Sequence, residues 1–330
     1  MEQLMRIQAR YPIAIAFLAL FGYFYNQNGI VATSVMYTAI QFSLPLALAA
    51  MVGVMCERTG IVNIGIEGTM LLSAFTAFFV GAIMKDTVLG LFVGVLTGSV
   101  VGLLLALMAI SWKMDQIIAG VIINILAAGL TSFLYRQNYS IPGTLSPIKI
   151  PIISDIPILG PILSFHGPIT YFGIFFIFAL WFALYKTPWG LRSRAVGEYP
   201  SSADTAGVSV VKLRYINVTI AGAVGGLAGS YLALEAVGIF ERGFTAGKGF
   251  TALAIMIFGR WNPLGAFAAA LFFGLSQAVT NQLMIDEVVA IPQQFINMLP
   301  YALTILILAI SAGKVRPPAA EGIPYEKEKA

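Results

Sequence analysis

Apolar residues fall into long runs separated by charged or Pro-rich breaks. A membrane-crossing helix takes about 20 mostly apolar residues. The breaks leave ten candidate segments, at 11–26, 30–56, 61–84, 88–110, 116–135, 168–185, 214–237, 248–259, 263–284 and 292–311. The eighth is too short to cross as a straight helix; if a short segment is re-entrant, eight or nine crossings remain. The pattern predicts an all-α polytopic membrane protein of about ten transmembrane helices, one membrane domain over 1–330. The first run lacks the small-residue cleavage site of a signal peptide and is followed by further apolar runs.

Two of the runs carry glycines along one helix face: Gly90, Gly94, Gly98 and Gly102 in the fourth, and Gly222, Gly225, Gly226 and Gly229 in the seventh. Such stripes let helix backbones approach closely. Two Gly-rich interruptions, 60–68 and 238–249, follow the second and seventh runs. With spans 2–5 and 7–10 running in opposite senses they take matching places in an inverted repeat, the usual sequence pointer to a transport path.

Lys and Arg in the short loops set the orientation. With the amino terminus cytoplasmic, only Lys85, Arg136, Lys149, Arg242 and Lys248 fall outside, leaving 14 of 19 inside. Both termini are then expected in the cytoplasm, with 312–330 as a cytoplasmic tail. The longest outside connection, 136–166, holds Pro142, Pro147, Pro151, Pro157 and Pro161, so an extended extracytoplasmic loop is expected there. His166, at its end, reads as an interfacial residue with no special role.

Four polar residues need an explanation inside apolar runs. Asn63 and Glu67 fit either the cytoplasmic half of a solute path or a helix start, Asn63 as N-cap and Glu67 favouring the positive helix end from the interface. Asn124, eight residues into the fifth run, either contacts solute or bridges helices. Glu235 either lines an outer vestibule or reaches interfacial water.

Composition narrows the function classes. The 330 residues are 58% hydrophobic and 10% charged; a soluble domain carries about 25% charged residues. The net charge of +4 is spread along the chain, which argues against nucleic-acid binding. One cysteine, Cys56, and one histidine, His166, exclude an intramolecular disulfide, a cysteine metal cluster and a His-rich metal site. No nucleophile–base pair or metal set suggests an embedded enzyme.

The loop 186–214 carries a net charge of +3. Within it, 199–207 reads as a short helix, with Pro200 at its entry, Ser201 and Asp204 as a capping box and Gly207 as C-terminal cap. A short rigid projection of this kind suits a membrane subunit that receives force from a soluble partner; a plain solvated positive-inside loop fits the composition equally. No G-x-x-x-x-G-K-[ST] pattern occurs, and Gly243 to Gly249 has the wrong spacing, so any ATP dependence must come from another chain.

Several stretches together resemble the ABC importer permeases of the branched-chain amino acid, ribose and nucleoside type. They are Glu57-Arg58-Thr59-Gly60 with the N-I-G-I-E-G run 63–68, Asp115-Gln116 through Asn124, Gly249 to Ala254, and Phe258 to Gly265 with its W-N-P-L-G element. The loop from Arg194, Gly197, Glu198 and Pro200 to Asp204, Ala206 and Gly207 resembles that family's coupling helix, with Tyr199 where relatives commonly carry Asn. The N-I-G-I-E-G and W-N-P-L-G forms look most like the nucleoside (simple sugar) branch. The resemblance implies a vitamin-B12-importer-like (type II) permease fold in a prokaryotic inner membrane. It implies a second homologous permease subunit as homo- or heterodimer partner, a cytoplasmic ATPase that uses ATP and Mg, and an extracytoplasmic solute-binding protein. No cofactor is expected on this chain. Sugars, riboflavin-like molecules and branched-chain amino acids remain alternative solutes, and an ion-coupled secondary carrier an alternative class. The absence of an Asp, Glu or His relay through the spans weighs against a proton-coupled carrier.

Overall fold

A computed structural model of the chain describes residues 29–136, 139–156, 158–285 and 316–326, together with Gly22 and Met298. The expected spans at 11–26 and 292–311 lie outside the described residues. Helices longer than five residues are numbered in chain order. They are α1 (Gly29–Glu57), α2 (Ile66–Met84), α3 (Thr87–Ala106), α4 (Gln116–Leu134), α5 (Pro168–Lys186), α6 (Pro188–Glu198), α7 (Pro200–Thr205), α8 (Val210–Tyr231), α9 (Lys248–Phe258) and α10 (Pro263–Ile285). Seven of them, counting the π turns that extend α3 and α8, are long and apolar enough to cross a membrane.

Two expected boundaries move. The run at 61–84 becomes helical only at Ile66, because Gly60 takes a φ of +82° and the chain stays irregular from Ile61 to Ile64. The run at 214–237 begins earlier, at Val210, so Arg214 lies inside α8 and is buried at 1% exposure. α9 has 11 residues, which at 1.5 Å per residue spans about 16 Å, half of a bilayer core.

The chain divides into two compact units, one made of 1–44, 147–166 and 268–315, the other of 45–146, 167–267 and 316–330. In the first, Val35, Met36 and Ala39 of α1 pack on Leu275 and Ala278 of α10, with Ile162 alongside. The Pro-rich stretch is not wholly extended. It contains two helical turns, Pro151–Ser154 and Leu159–Leu163, and a two-residue antiparallel pairing of Ile148–Lys149 with Phe165–His166. His166 is 2% exposed. Its ring stacks on Tyr37 at 4.4 Å and its Nε2 lies 2.8 Å from the Ile162 carbonyl oxygen, and burial pushes its pKa down.

In the second unit, α2, α3 and α8 meet backbone to backbone. The two glycine stripes, separate in sequence, face each other. A Cβ added at Gly98 would come within 2.5 Å of the Gly226 nitrogen and Cα, and one at Gly226 within 2.7 Å of the Gly94 carbonyl oxygen. On the α2 side, Gly229 abuts Met70 and Ala74, and Gly90 abuts Ala77 and Gly81. Side-chain-free faces are what let helices associate by close packing where lipid removes any hydrophobic drive between them. The most apolar windows of α2 and α8 are 72% and 78% buried, against 28% for α4 and 33% for α5. α4 and α5, like the outer face of α3 at 33%, lie at the periphery of this unit, with Ile125, Phe133 and Phe175 pointing outward.

Gly98→Ala drives a methyl into the opposing backbone, so it should destabilise the detergent-solubilised protein by about 1–3 kcal/mol. Gly129→Ala opens onto free space and should leave the melting temperature unchanged or slightly raised. Equal melting behaviour of the two variants would show that the stripes do not touch.

Candidate functional site

A helix interrupted inside an apolar environment exposes backbone N–H and C=O groups that must find partners. The break between α1 and α2 shows where they go. The Val62 amide donates to Gln116 Oε1 at 2.6 Å. Asn124 lies on α4 and bridges both ends of the turn into α2. Its Nδ2 donates to the Ile64 carbonyl at 3.0 Å and its Oδ1 accepts from the Gly68 amide at 2.7 Å. α4 comes this close because Gly120 sits against Ile64 and Gly65. Asn63 is not a helix N-cap. That position belongs to Gly65, whereas Asn63 is 2% exposed and turns back so that Nδ2 meets Cys56 Sγ at 3.6 Å.

Glu67 lies in the first turn of α2. Its Oε1 accepts from Thr245 Oγ1 at 2.5 Å and the Gly247 amide at 2.8 Å, and its Oε2 from the Gly249 amide at 2.6 Å. These donors belong to the start of α9, whose N-cap, Gly247, has a φ of +81° and no side chain to do the capping. A carboxylate from another helix therefore caps α9 and favours its positive end. Gly249 must lack a Cβ, since one would meet the Glu67 backbone at 2.5 Å. The two Gly-rich interruptions are thus joined by one side chain.

Glu235 repeats the device elsewhere and does not join the Asn63–Glu67–Asn124 group. It lies in the π turn Leu232–Ala236 that ends α8. Its oxygens accept from the Ile169 amide at 2.7 Å, the Thr170 amide at 3.2 Å and Thr170 Oγ1 at 2.5 Å, all at the start of α5. Glu235 is half-buried, with its carboxylate engaged at the start of α5. The N-terminal residue of α5 is proline and its N-cap, Gly167, offers no side-chain acceptor, so the orphan donors draw in the carboxylate.

The coupling-loop residues fall on α6 and α7, two helices where one was expected. Trp189 Nε1 donates to Asn217 Oδ1 at 3.0 Å and Asn217 Nδ2 to Ser193 Oγ at 2.9 Å, which fastens α6 to α8. Val196, Ala203 and Val210 form a small core between α6, α7 and α8. The Arg194 guanidinium lies 5.0 Å over the Tyr185 ring. The Ser201–Asp204 capping box does not form, because Pro200 already occupies the first helical position and Tyr199 is the N-cap. Gly207, at φ +83°, follows the end of α7, and its amide donates to the Asp204 carbonyl at 2.9 Å. Tyr199, Ser201, Ser202, Thr205, Ala206 and Gly207 make an exposed ridge.

Around this ridge the motif stretches converge. Arg58 Nε donates to the Trp261 carbonyl at 2.9 Å, and Trp261 Nε1 donates to the Glu57 carboxylate. Arg260 and Trp261 both take left-handed φ values, 54° and 52°, before Asn262 caps α10 through the Leu264 amide at 3.0 Å. Such backbone costs about 1–3 kcal/mol per residue and persists only where neighbours impose it. Arg214 donates from Nε to the Thr59 carbonyl at 2.9 Å.

The carboxy-terminal stretch 316–326 is strapped across this surface. Ala320 N–H donates to the Gly197 carbonyl at 2.9 Å, Gly322 N–H to the Gly60 carbonyl at 3.1 Å and Ala319 N–H to Glu198 Oε2 at 3.3 Å. Arg214 reaches the Ile323 carbonyl at 3.2 Å, and Lys113 pairs with Glu326 at 2.5 Å. The Glu321 carboxyl lies beside that of Glu57, and burial pushes it above the ordinary carboxylate range. Gln116 and Trp261 stand in the motif stretches quoted from the sequence, but their partners, and any role for Thr245, Arg214 and the strap, emerge only from the fold.

A family model described as branched-chain amino acid transport system / permease component matches residues 34–308. The guanosine ABC transporter permease protein NupQ of Bacillus subtilis is 41% identical over 307 residues, covering 87% of this chain and 95% of that protein. The nucleoside ABC transporter permease protein NupC of Lactococcus lactis is 36% identical over 306 residues, with the same two shares. A guanosine ABC transporter permease protein of the same Bacillus, NupP, is 26% identical over 285 residues, 81% of this chain and 78% of that protein. No solved structure matches.

Glu67→Ala leaves the Gly247 and Gly249 amides without their acceptor and should lower stability by about 3 kcal/mol in detergent melts. Glu67→Gln, which keeps one carbonyl acceptor, should recover part of that; equal losses would show that the carboxylate is not the cap. The strap has a pH dependence of definite sign. A carboxyl raised in the docked state favours docking below the ordinary carboxylate range and loses that favour as pH rises through its docked value. Hydrogen exchange of the 319–323 amides, corrected for its intrinsic pH dependence, should therefore increase as pH rises above the ordinary carboxylate range. Glu321→Gln should flatten that rise, and an unchanged rise would disconnect it from Glu321.

Proposed function

The chain belongs to the family of permease components of branched-chain amino acid transport systems, and from that premise we propose that it is the permease of an ABC importer for nucleosides. The observation that carries the coupling half of this reading is the strapped ridge. α6 and α7 are rigid, partly exposed and tied through Gly197, Glu198 and the 316–326 stretch to the Gly60 break. The solute half is supported by the nucleoside and guanosine permeases that the chain resembles over most of its length.

The full assembly has ten crossings per chain, in an inverted repeat of vitamin-B12-importer-like type, with both termini and the α6–α7 ridge in the cytoplasm. Two permease chains pair with two ATPase domains, which bind ATP and Mg, and a solute-binding protein delivers nucleoside from outside. This chain has no part in the hydrolysis. The ATPase presses on Arg194, Gly197, Glu198, Pro200, Asp204, Ala206 and Gly207. Because the same ridge holds the strap, and the strap holds Gly60, movement passes to the irregular segment 61–64. Asn63, Asn124 and Glu67 set how that segment opens. Glu67 then links it to α9, so the two interruptions move as a pair, and Glu235 keeps the start of α5 in step with the end of α8. An ion-coupled carrier is disfavoured by the relatives, which are named ABC transporter permeases.

Reconstitution with its ATPase and binding protein tests this. Uptake of guanosine or adenosine should need ATP and all the chains together. Glu198→Lys, which removes the acceptor of the Ala319 amide and reverses the charge, should cut uptake by about tenfold while hydrolysis continues. Concentration of a sugar or leucine in place of nucleosides overturns the solute; unaltered uptake by Glu198→Lys overturns the coupling route.

A further inference from the structure

The interruption 238–249 has two halves. Thr245 to Gly249 is fixed by Glu67. The other half, with Glu241 and Arg242, comes up to the end of α4, and a cavity of about 530 Å³ opens there, lined by Tyr135, Arg136, Glu241 and Arg242. The cavity is open-sided, with Arg136, Glu241 and Arg242 exposed at its rim. The Arg242 guanidinium lies 5.4 Å from the Tyr135 ring centroid. Tyr135 is backed in turn by Phe79, edge-on at 6.5 Å, and by Phe240 at 6.2 Å. Phe240 packs on Phe75 and Phe244 at 5.4 and 5.5 Å. The Arg–Tyr cation–π pair thus rests on a cluster of aromatic rings.

The charges here are not used up by the fold. Arg136 donates to its own helix end, to the carbonyls of Phe133 and Tyr135 at 3.2 and 3.1 Å. Glu241 is exposed, and among the described residues neither it nor Arg242 forms a salt bridge. An arginine stacked on a tyrosine offers a planar surface to another ring, and guanidinium groups and aromatic faces are the usual platforms for nucleobases. A carboxylate next to that platform accepts two N–H bonds from the edge of guanine, while a guanidinium matches its O6 and N7 acceptors. Adenine presents no matching pair of donors to a carboxylate.

We propose that this cavity is a reception subsite for a purine nucleoside, with guanosine preferred, the base stacking against the Arg242–Tyr135 pair and its N–H edge meeting Glu241. The assignment rests on the nucleoside reading above and adds where the permease itself first holds the solute.

The test uses the assembled permease–ATPase complex in nanodiscs, without binding protein, photolabelled with 8-azidoguanosine. Label should map to the peptides holding Tyr135 or Glu241–Arg242. Guanosine should compete with it better than adenosine, and Glu241→Gln should weaken guanosine competition by about tenfold. Arg242→Lys keeps the charge and loses the plane; it too should reduce labelling, with the melting temperature of the complex held. Label in other peptides, labelling indifferent to both variants, or competition by inorganic phosphate as strong as by guanosine overturns the subsite. Nucleoside uptake by the whole transporter is read separately: its presence without label here removes the subsite alone, and transport of a different solute removes the nucleoside reading beneath it.

Discussion

The structure depends on satisfying backbone groups where helices are broken inside an apolar surround. An unpaired N–H or C=O there costs several kcal/mol, so each break demands a polar side chain at a fixed place. Gln116 and Asn124 serve the break before α2. Glu67 serves the start of α9 and Glu235 the start of α5. Neither helix begins with a residue that can cap itself. The polar residues that look like solute contacts in a one-dimensional reading are, first of all, the groups that make broken helices possible.

That constraint also explains how the breaks could work as a mechanism. A continuous helix resists bending, whereas a segment held by a few side-chain bonds has discrete alternatives. The irregular residues 61–64 are held by α4 on one side and by the strap, through Gly60, on another. The rigid part against which they would move is the α2–α3–α8 packing, where glycine faces leave no room for sliding. The strained turn at Arg260 and Trp261, bound to Arg58 and Glu57, ties α10 to the end of α1 at the same place.

The carboxy-terminal strap adds a contact of low local sequence signal and large structural reach. Its bonds to Gly60, to Gly197 and Glu198 of α6 and to Arg214 of α8 tie three places in the chain to one segment.

The sequence by itself determined that the chain is a multi-pass membrane protein, where most of its spans lie, that close packing rests on two glycine stripes, and which family it joins. These are properties of composition, run length and local spacing, which lipid as solvent imposes segment by segment. Only the tertiary structure decided that the two stripes face each other, that Glu67 and Glu235 cap helices from a distance, that Asn63 turns inward to Cys56, and that 316–326 lies across α6 and Gly60. A carboxylate reads the same whether its partner is water, a solute or an amide nearly two hundred residues away. The partner of a buried polar group is a fact about which segments meet, and no local pattern carries it.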